Sequence, residues 1–248
     1  MNLAQDIIHL TPADFQWFTA QLFHNNCRDD YDNLTVWKNG LPYMSLGIGH
    51  FTWYPRDTKR ISIETFPRLL DFLEADGVVM PPWLAEVRFR GCPWNSRKEF
   101  LRERHLPAMT GLREFLHQTV KLQVGYIVHN AMTVIERISS TRPASEQQEI
   151  IEKFQTILAT PHGFYPLIDY VSFKGGGCKA EERYQGVGWG LLQVLTEMKM
   201  PAAPAGARRA FAEAAVTVLE RRVANQPTGR HEEKLLPSWR ARVRSYLE

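Results

Sequence analysis

Ser45-Leu46-Gly47-Ile48-Gly49-His50 is the stretch on which the reading of the fold turns. Two glycines flanking one isoleucine permit a tight backbone path that presents neighbouring polar groups to a groove. Around it, Tyr43 to Tyr54 alternates or runs apolar with glycine and proline on its borders, which predicts a small hairpin or irregular strand pair. Upstream, Thr11-Pro12-Ala13-Asp14 reads as a helix start, with Thr11 as cap and Pro12 in the first turn. Phe15, Phe18, Leu22 and Phe23 follow at helical spacing, so a first helix ending near Asn25 is expected, then a polar, turn-rich stretch from Cys27 to Gly40.

Downstream the pattern is helical. Glu64 to Glu74 carries Phe66, Leu69, Leu70 and Leu73 on one face, and Pro81-Pro82 then breaks the chain before a short turn at Trp83-Leu84. Helical spacing recurs over Lys98–Arg104, Thr110–Ile138 with room for a break, Ser145–Leu158, Phe164–Phe173, Gly188–Met198 and Gly206–Val223. Gly175-Gly176-Gly177 and the series Gly186, Gly188 and Gly190 surround Glu181-Glu182-Arg183-Tyr184, which reads as a loop feeding a helix. The expected fold class is mainly α (α+β): one helical domain over residues 1–248 with one small β-hairpin. Residues 11–60 form the helix-plus-hairpin lobe and 61–248 the helical lobe.

Composition sets the outer limits. The chain has 248 residues, 44% hydrophobic and 23% charged, the balance of an ordinary globular protein and not of a collagen, a coiled coil or a disordered acidic tail. No run approaches the roughly twenty apolar residues that a membrane-spanning helix needs. Met1 to Leu10 lacks a basic segment, a long apolar run and a small-residue cleavage site, so as written the chain reads as cytoplasmic, and as periplasmic or exported if a signal was trimmed. The net charge is +3, and from Ala205 onward nine basic residues stand against five acidic ones. That is a mildly basic tail without a zinc-finger, RNA-recognition or helix-turn-helix signature, so no nucleic-acid partner is expected. Cys27, Cys92 and Cys178 share no zinc-ligand spacing, and neither a metal nor another cofactor is expected. One disulfide plus one free thiol and three reduced thiols both fit this count.

Asp30, Asn39 and Ser45 precede the glycine motif with eight and then five residues between them. That spacing, with Leu46-Gly47-Ile48-Gly49-His50, resembles the phage-type lysozymes, where a glutamate ends the first helix, an aspartate or cysteine follows after eight residues, and a threonine comes five residues later before an Ile-Gly-Ile-Gly-His run. The resemblance covers about residues 11 to 54, and none of its first three functional positions is identical. A broader likeness runs through Trp37–Pro55, Glu64-Thr65-Phe66-Pro67, Cys92-Pro93-Trp94, Ile168–Gly177 and Glu182–Leu195. These strings resemble a family of uncharacterised, usually exported bacterial proteins. Against that family, acidic residues are missing at Asn26, Asn39 and Gly176. The family resemblance also implies a bond between Cys27 and Cys92.

Glycoside cleavage normally needs a protonated carboxylic acid at the leaving oxygen and usually a second carboxylate as nucleophile or base. Asp30 is the first candidate acid, although its ordinary pKa of about 3.9 would have to be raised by burial. Glu182, entering a glycine-rich loop, is the second; beside Arg183 it could equally fix the loop as an ion pair. Glu64 reads as a helix-start residue. Asn39 lacks acid chemistry but can orient water or an N-acetyl group, and Ser45 and His50 complete the polar set. Trp53, Tyr54, Tyr184, Gln185 and Trp189 are the candidate substrate-lining residues, since sugar C–H faces stack on aromatic planes while hydroxyls seek polar edges. No Gly-x-Ser-x-Gly elbow occurs, and Gly186–Gly190 lacks the Lys-Ser/Thr ending of a phosphate loop.

The expectation is therefore a lysozyme-like domain whose partner is a polysaccharide, peptidoglycan or a related N-acetylated polymer. It acts either as a glycoside hydrolase or lytic transglycosylase, or as a catalytically inactive glycan- or protein-binding module that kept the groove and lost its acids.

Overall fold

The structure, a computed structural model, describes residues 10–140 and 143–248. The opening segment read above for a secretory signal lies, but for Leu10, outside the described residues. The chain is mainly helical with a few short strands, as the periodicity predicts. It divides into two compact units, Phe15–Ile127 and Val128–Glu248, the second also taking in the chain up to Asp14. The division falls inside a long helix.

Helix α1, Pro12–Cys27, begins as expected. The Asp14 N–H donates to Thr11 Oγ1 at 3.1 Å, and the Thr11 N–H donates back to Asp14 Oδ2 at 3.1 Å, a reciprocal cap that satisfies two end groups. Two successive left-handed residues, Arg28 and Asp29, then turn the chain into a 3-10 turn, Tyr31–Leu34.

In the first unit a three-stranded antiparallel sheet follows: β1 (Thr35–Val36), β2 (Met44–Leu46) and β3 (Phe51–Trp53), in the order β1-β2-β3. Ser45 lies opposite Val36 on one side and Thr52 on the other. The expected pair thus gains a third strand, β1. Two residues in a polar stretch carry no alternation that could announce it. Helices α2 (Phe66–Ala75), α3 (Pro82–Val87), α4 (Arg97–Glu103) and α5 (Pro107–Gln118) follow. Trp53 and Phe66 pack with ring centroids 5.0 Å apart, setting α2 on the sheet. The break expected in Thr110–Ile138 falls at Thr119, before α6 (Val120–Ser140).

The second unit holds α7 (Ala144–Leu158), α8 (Phe164–Lys174), a hairpin of β4 (Arg183–Tyr184) and β5 (Val187–Gly188), α9 (Leu191–Glu197), α10 (Ala207–Ala224) and α11 (Leu236–Arg244). The hairpin turns at Gln185-Gly186, both left-handed, which is the turn geometry that matches strand twist. Where glycine spacing predicts a plain loop and a helix from Gly188, the structure has this hairpin and a helix that starts at Leu191. The glycine cluster has a backbone reason. The N–H groups of Leu191 and Leu192 donate to the carbonyls of Gly175 and Gly176, each at 3.0 Å, so the start of α9 is closed by this segment. A side chain on Gly190 would strike Gly177.

Beneath these helices lies a buried ion pair. Asp169, completely enclosed on α8, takes both arms of Arg242 from α11 at 2.9 and 2.6 Å and the hydroxyl of Tyr246 at 2.7 Å. Every carboxylate oxygen is occupied, which is what makes a charge tolerable at this depth.

Candidate functional site

The glycine motif sits against two helices of its own unit. The Asn26 side-chain amide, in the last turn of α1, donates to the Ile48 carbonyl at 2.7 Å. The Ile48 N–H donates to Gln123 Oε1 on α6 at 2.9 Å, while Gln123 Nε2 donates to the Leu116 carbonyl at 2.6 Å and to Thr119 Oγ1 at 2.9 Å. Ile48 and Gln123 are both completely buried. The loop is therefore clamped from both sides by carboxamides. Gly47 is left-handed, with φ +68°, and a Cβ there would collide with the Gln123 amide. The His50 N–H donates back to the Gly47 carbonyl at 3.1 Å, closing a turn in which His50 itself is left-handed.

The helix end therefore meets the hairpin through an amide, not an acid. Asp30 lies three residues beyond α1, exposed, where its Oδ1 accepts from the Asp32 N–H at 2.9 Å and caps the 3-10 turn. Asn39 is exposed in the connection between β1 and β2. Ser45, Trp53 and Tyr54 are buried, at 4, 0 and 1% exposure, so as they stand they fill the core and do not line a surface for a sugar. The Tyr54 hydroxyl pairs with Ser62 Oγ at 2.8 Å, and the Tyr54 N–H donates to Glu64 Oε1 at 2.8 Å. Glu64 thus ties the end of β3 to the segment before α2, a role its helix-start position did not suggest.

In the second unit Glu182 is half-buried. Its Oε2 accepts from the Lys179 N–H at 3.1 Å, closing the short 3-10 turn Ala180–Glu182, and its carboxylate lies over Gly175 where a Cβ would collide with it. Trp189 is buried, its ring centroid 4.4 Å from that of Tyr184 and the Arg222 guanidinium 4.0 Å above it. Tyr184 donates its hydroxyl to Glu232 Oε1 at 2.8 Å, and Arg222 grips the same carboxylate with two arms at 2.7 and 2.8 Å. Gln185 is an exposed turn residue whose Nε2 donates to the Asn225 carbonyl at 3.4 Å. Tyr184 and Trp189 are consequently parts of an aromatic–guanidinium clasp, with Glu232 as its anion.

Burial pushes the Glu232 carboxyl upward, but the Arg222 guanidinium, the Tyr184 hydroxyl and the Lys174 ammonium outweigh it and hold the group below the usual carboxylate range. The thiols of Cys27 and Cys92 are both pushed up to about 12, chiefly by burial, with the nearby Asp30 and Asp29 charges adding to the effect at Cys27. All three cysteines are free thiols, so the bond implied between Cys27 and Cys92 is not formed. Each of the two has its own buried setting: Cys27 Sγ donates to the Asn33 carbonyl at 3.9 Å, and Cys92 pairs by its backbone with Tyr54 and Pro55.

Gln123 and Tyr31 lie outside the motifs that mark the candidate residues. Gln123 stands one turn from Ile127 on an otherwise apolar face of α6, and that interruption is the signal that could have marked it. Tyr31 is half exposed, with its ring packed on Phe23 and His117. Among the described residues no three His, Cys, Asp or Glu side chains converge as a metal site, and no helix is long and apolar enough to cross a membrane.

No family model matches the chain, and no curated protein or solved structure matches it.

Proposed function

We propose that the protein is a lysozyme-like module that binds the glycan strand of peptidoglycan, or a related N-acetylated polymer, without cleaving it. The observation that carries this reading is the hydrogen bond from Asn26 to the Ile48 carbonyl. A helix end held against a glycine-rich hairpin is the arrangement the lysozyme resemblance implies, and the side chain at that junction cannot supply a proton to a leaving oxygen. The two candidate acids fit the same reading. Asp30 and Glu182 each accept from a backbone N–H as turn caps, at 2.9 and 3.1 Å, so both carboxylates are engaged in holding their own turns. A wall polymer as ligand carries with it an exported or periplasmic site of action.

Purified peptidoglycan sacculi provide the test. The expected result is co-sedimentation of the protein with sacculi and no fall in their turbidity. Turbidity loss that disappears in Asp30→Asn or Glu182→Gln would replace the binder with a glycosidase or lytic transglycosylase. Failure to sediment with sacculi would overturn the glycan reading itself.

A further inference from the structure

The sequence singled out the turn after α1 for its acids, yet its most unusual feature is an exposed aromatic ring held in place. Tyr31 is 51% exposed. Its ring centroid lies 4.0 Å from that of His117 on α5, at an interplanar angle of 55°, and 5.0 Å from that of Phe23 on α1. Three rings from three elements thus meet at one surface, with His117 exposed and Phe23 half-buried.

The backbone beneath Tyr31 is fixed by Asp30, whose Oδ1 accepts from the Asp32 N–H, and by the Asn33 side chain, which donates to the Cys27 carbonyl at 2.9 Å. Asp32 is held in turn by Arg113 at 3.3 Å and Arg104 at 3.4 Å. Arg113, one turn before His117 on α5, also donates to Thr35 Oγ1 at 3.2 Å and to the Arg104 carbonyl at 3.1 Å. A large ring that is ordered before any ligand arrives loses little rotamer freedom on binding.

We propose that Tyr31, with Phe23 and His117, forms a stacking subsite for one pyranose ring of a neutral N-acetylated glycan. The inference rests on the glycan reading above and deepens it by naming where the sugar sits. The aromatic surface offers a face for sugar C–H groups. Asp30 caps a single N–H through one oxygen, leaving a carboxylate with acceptor capacity for hydroxyl protons. Arg104, more than a third exposed and joined to Asp32 by a long contact, supplies donors for hydroxyl or acetamido oxygens. The charges of this ledge balance, Asp30 and Asp32 against Arg104 and Arg113, which suits a neutral ring better than an anionic one. Asp30 becomes a sugar-binding group here instead of an acid.

The test is a binding isotherm of the full chain on purified sacculi, with a β-1,4-linked N-acetylglucosamine tetramer as competitor. The variants are Tyr31→Ala, Tyr31→Phe and, as a control at an aromatic residue 73% exposed elsewhere in the same unit, Phe89→Ala. Thermal melts establish that each variant is folded. The expected result is displacement by the tetramer, a loss of about tenfold or more in Tyr31→Ala, corresponding to about 1.4 kcal/mol, and changes under about threefold in Tyr31→Phe and Phe89→Ala. Binding by the unaltered protein that Tyr31→Ala leaves intact, or that Phe89→Ala weakens equally, overturns the subsite and leaves the glycan reading standing. Binding that the tetramer fails to displace overturns both the subsite and the glycan reading, because the protein then holds another part of the sacculus, such as its peptide stems. Absence of any binding to sacculi by the unaltered protein overturns both.

Discussion

The Ile48 N–H donates to Oε1 of Gln123 at 2.9 Å, although 75 positions separate the two residues and both are completely buried. Through this bond a two-glycine loop obtains in the core the partner that a regular strand would have supplied. Replacing Gln123 by Leu leaves the Ile48 N–H buried without an acceptor. We expect a loss of about 1–3 kcal/mol in urea denaturation. Gln123→Glu should cost at least as much, because it buries a carboxylate without a counter-charge and removes the amide donor to the Leu116 carbonyl.

Gly47 and Gly40 are both left-handed, at φ +68° and +79°, but a Cβ at Gly47 strikes the Gln123 amide while one at Gly40 meets open space. Gly40→Ala pays backbone strain alone, about 1 kcal/mol. Gly47→Ala adds the displacement of a buried hydrogen-bond acceptor and is expected to cost at least about 2 kcal/mol more. Paired denaturation curves of the two variants measure the difference.

Asp169, Arg242 and Tyr246 form one buried network, so removing one member strands the others. Asp169→Asn is expected to destabilise the second unit by about 3–5 kcal/mol, because the Arg242 charge stays behind without its counter-ion. Tyr246→Phe removes one hydrogen bond to a charged acceptor and should cost about 1.5–3 kcal/mol. Neighbours in such a network couple, so the double variant should lose less than the two single losses added together.

Glu232 titrates lower in the folded chain than an ordinary carboxyl, because Arg222, Tyr184 and Lys174 outweigh the cost of burial. A depressed folded pKa contributes stability that is fully present above the unfolded value of about 4.3 and is lost as pH falls through the lower folded value. Denaturation midpoints at pH 7, 5, 4 and 3 should therefore drop mainly below about pH 4.5. Glu232→Gln should lower stability at pH 7 and flatten this acid limb; an unchanged limb would remove Glu232 from the cause.

Cys27 and Cys92 are buried thiols pushed up to about 12, whereas Cys178 is partly exposed in a loop. Since the thiolate is the reacting form, one thiol per chain should react with an aromatic disulfide reagent at pH 8, and three after unfolding. A count of one in the unfolded, unreduced chain would instead reveal a bond.

Regular periodicity made most helices legible before the structure. Residues 66–75, 144–158 and 207–224 carry apolar side chains at three- and four-residue spacing, and each is a helix within a residue or two of its expected bounds. Helix α11 lies in the stretch whose composition reads as a basic tail. Its buried residues are Trp239 and Val243, and its Arg242 turns inward to Asp169, so the charge that made it look exposed is a core contact. The strands β1, β4 and β5 have two residues each, too few for an alternation to show. Aromatic identity was equally ambiguous: Trp53 and Trp189 lie in the core, while Tyr31 carries the exposed ring.

The sequence by itself determined what depends on neighbours along the chain: the helical class, the cap at Thr11, and a tight turn wherever paired glycines permit positive φ. Tertiary structure alone decided the long-range partners. Asn26 and Gln123 meeting the same isoleucine, Glu64 reaching Tyr54, and Arg242 closing on Asp169 each join residues far apart in the chain or in different elements. A polar side chain finds its partner where packing leaves a buried donor or acceptor unsatisfied, and that place is set by how the elements close on one another. For the same reason an asparagine stands at the helix–hairpin junction while the nearby aspartate, three residues past the helix, caps a turn.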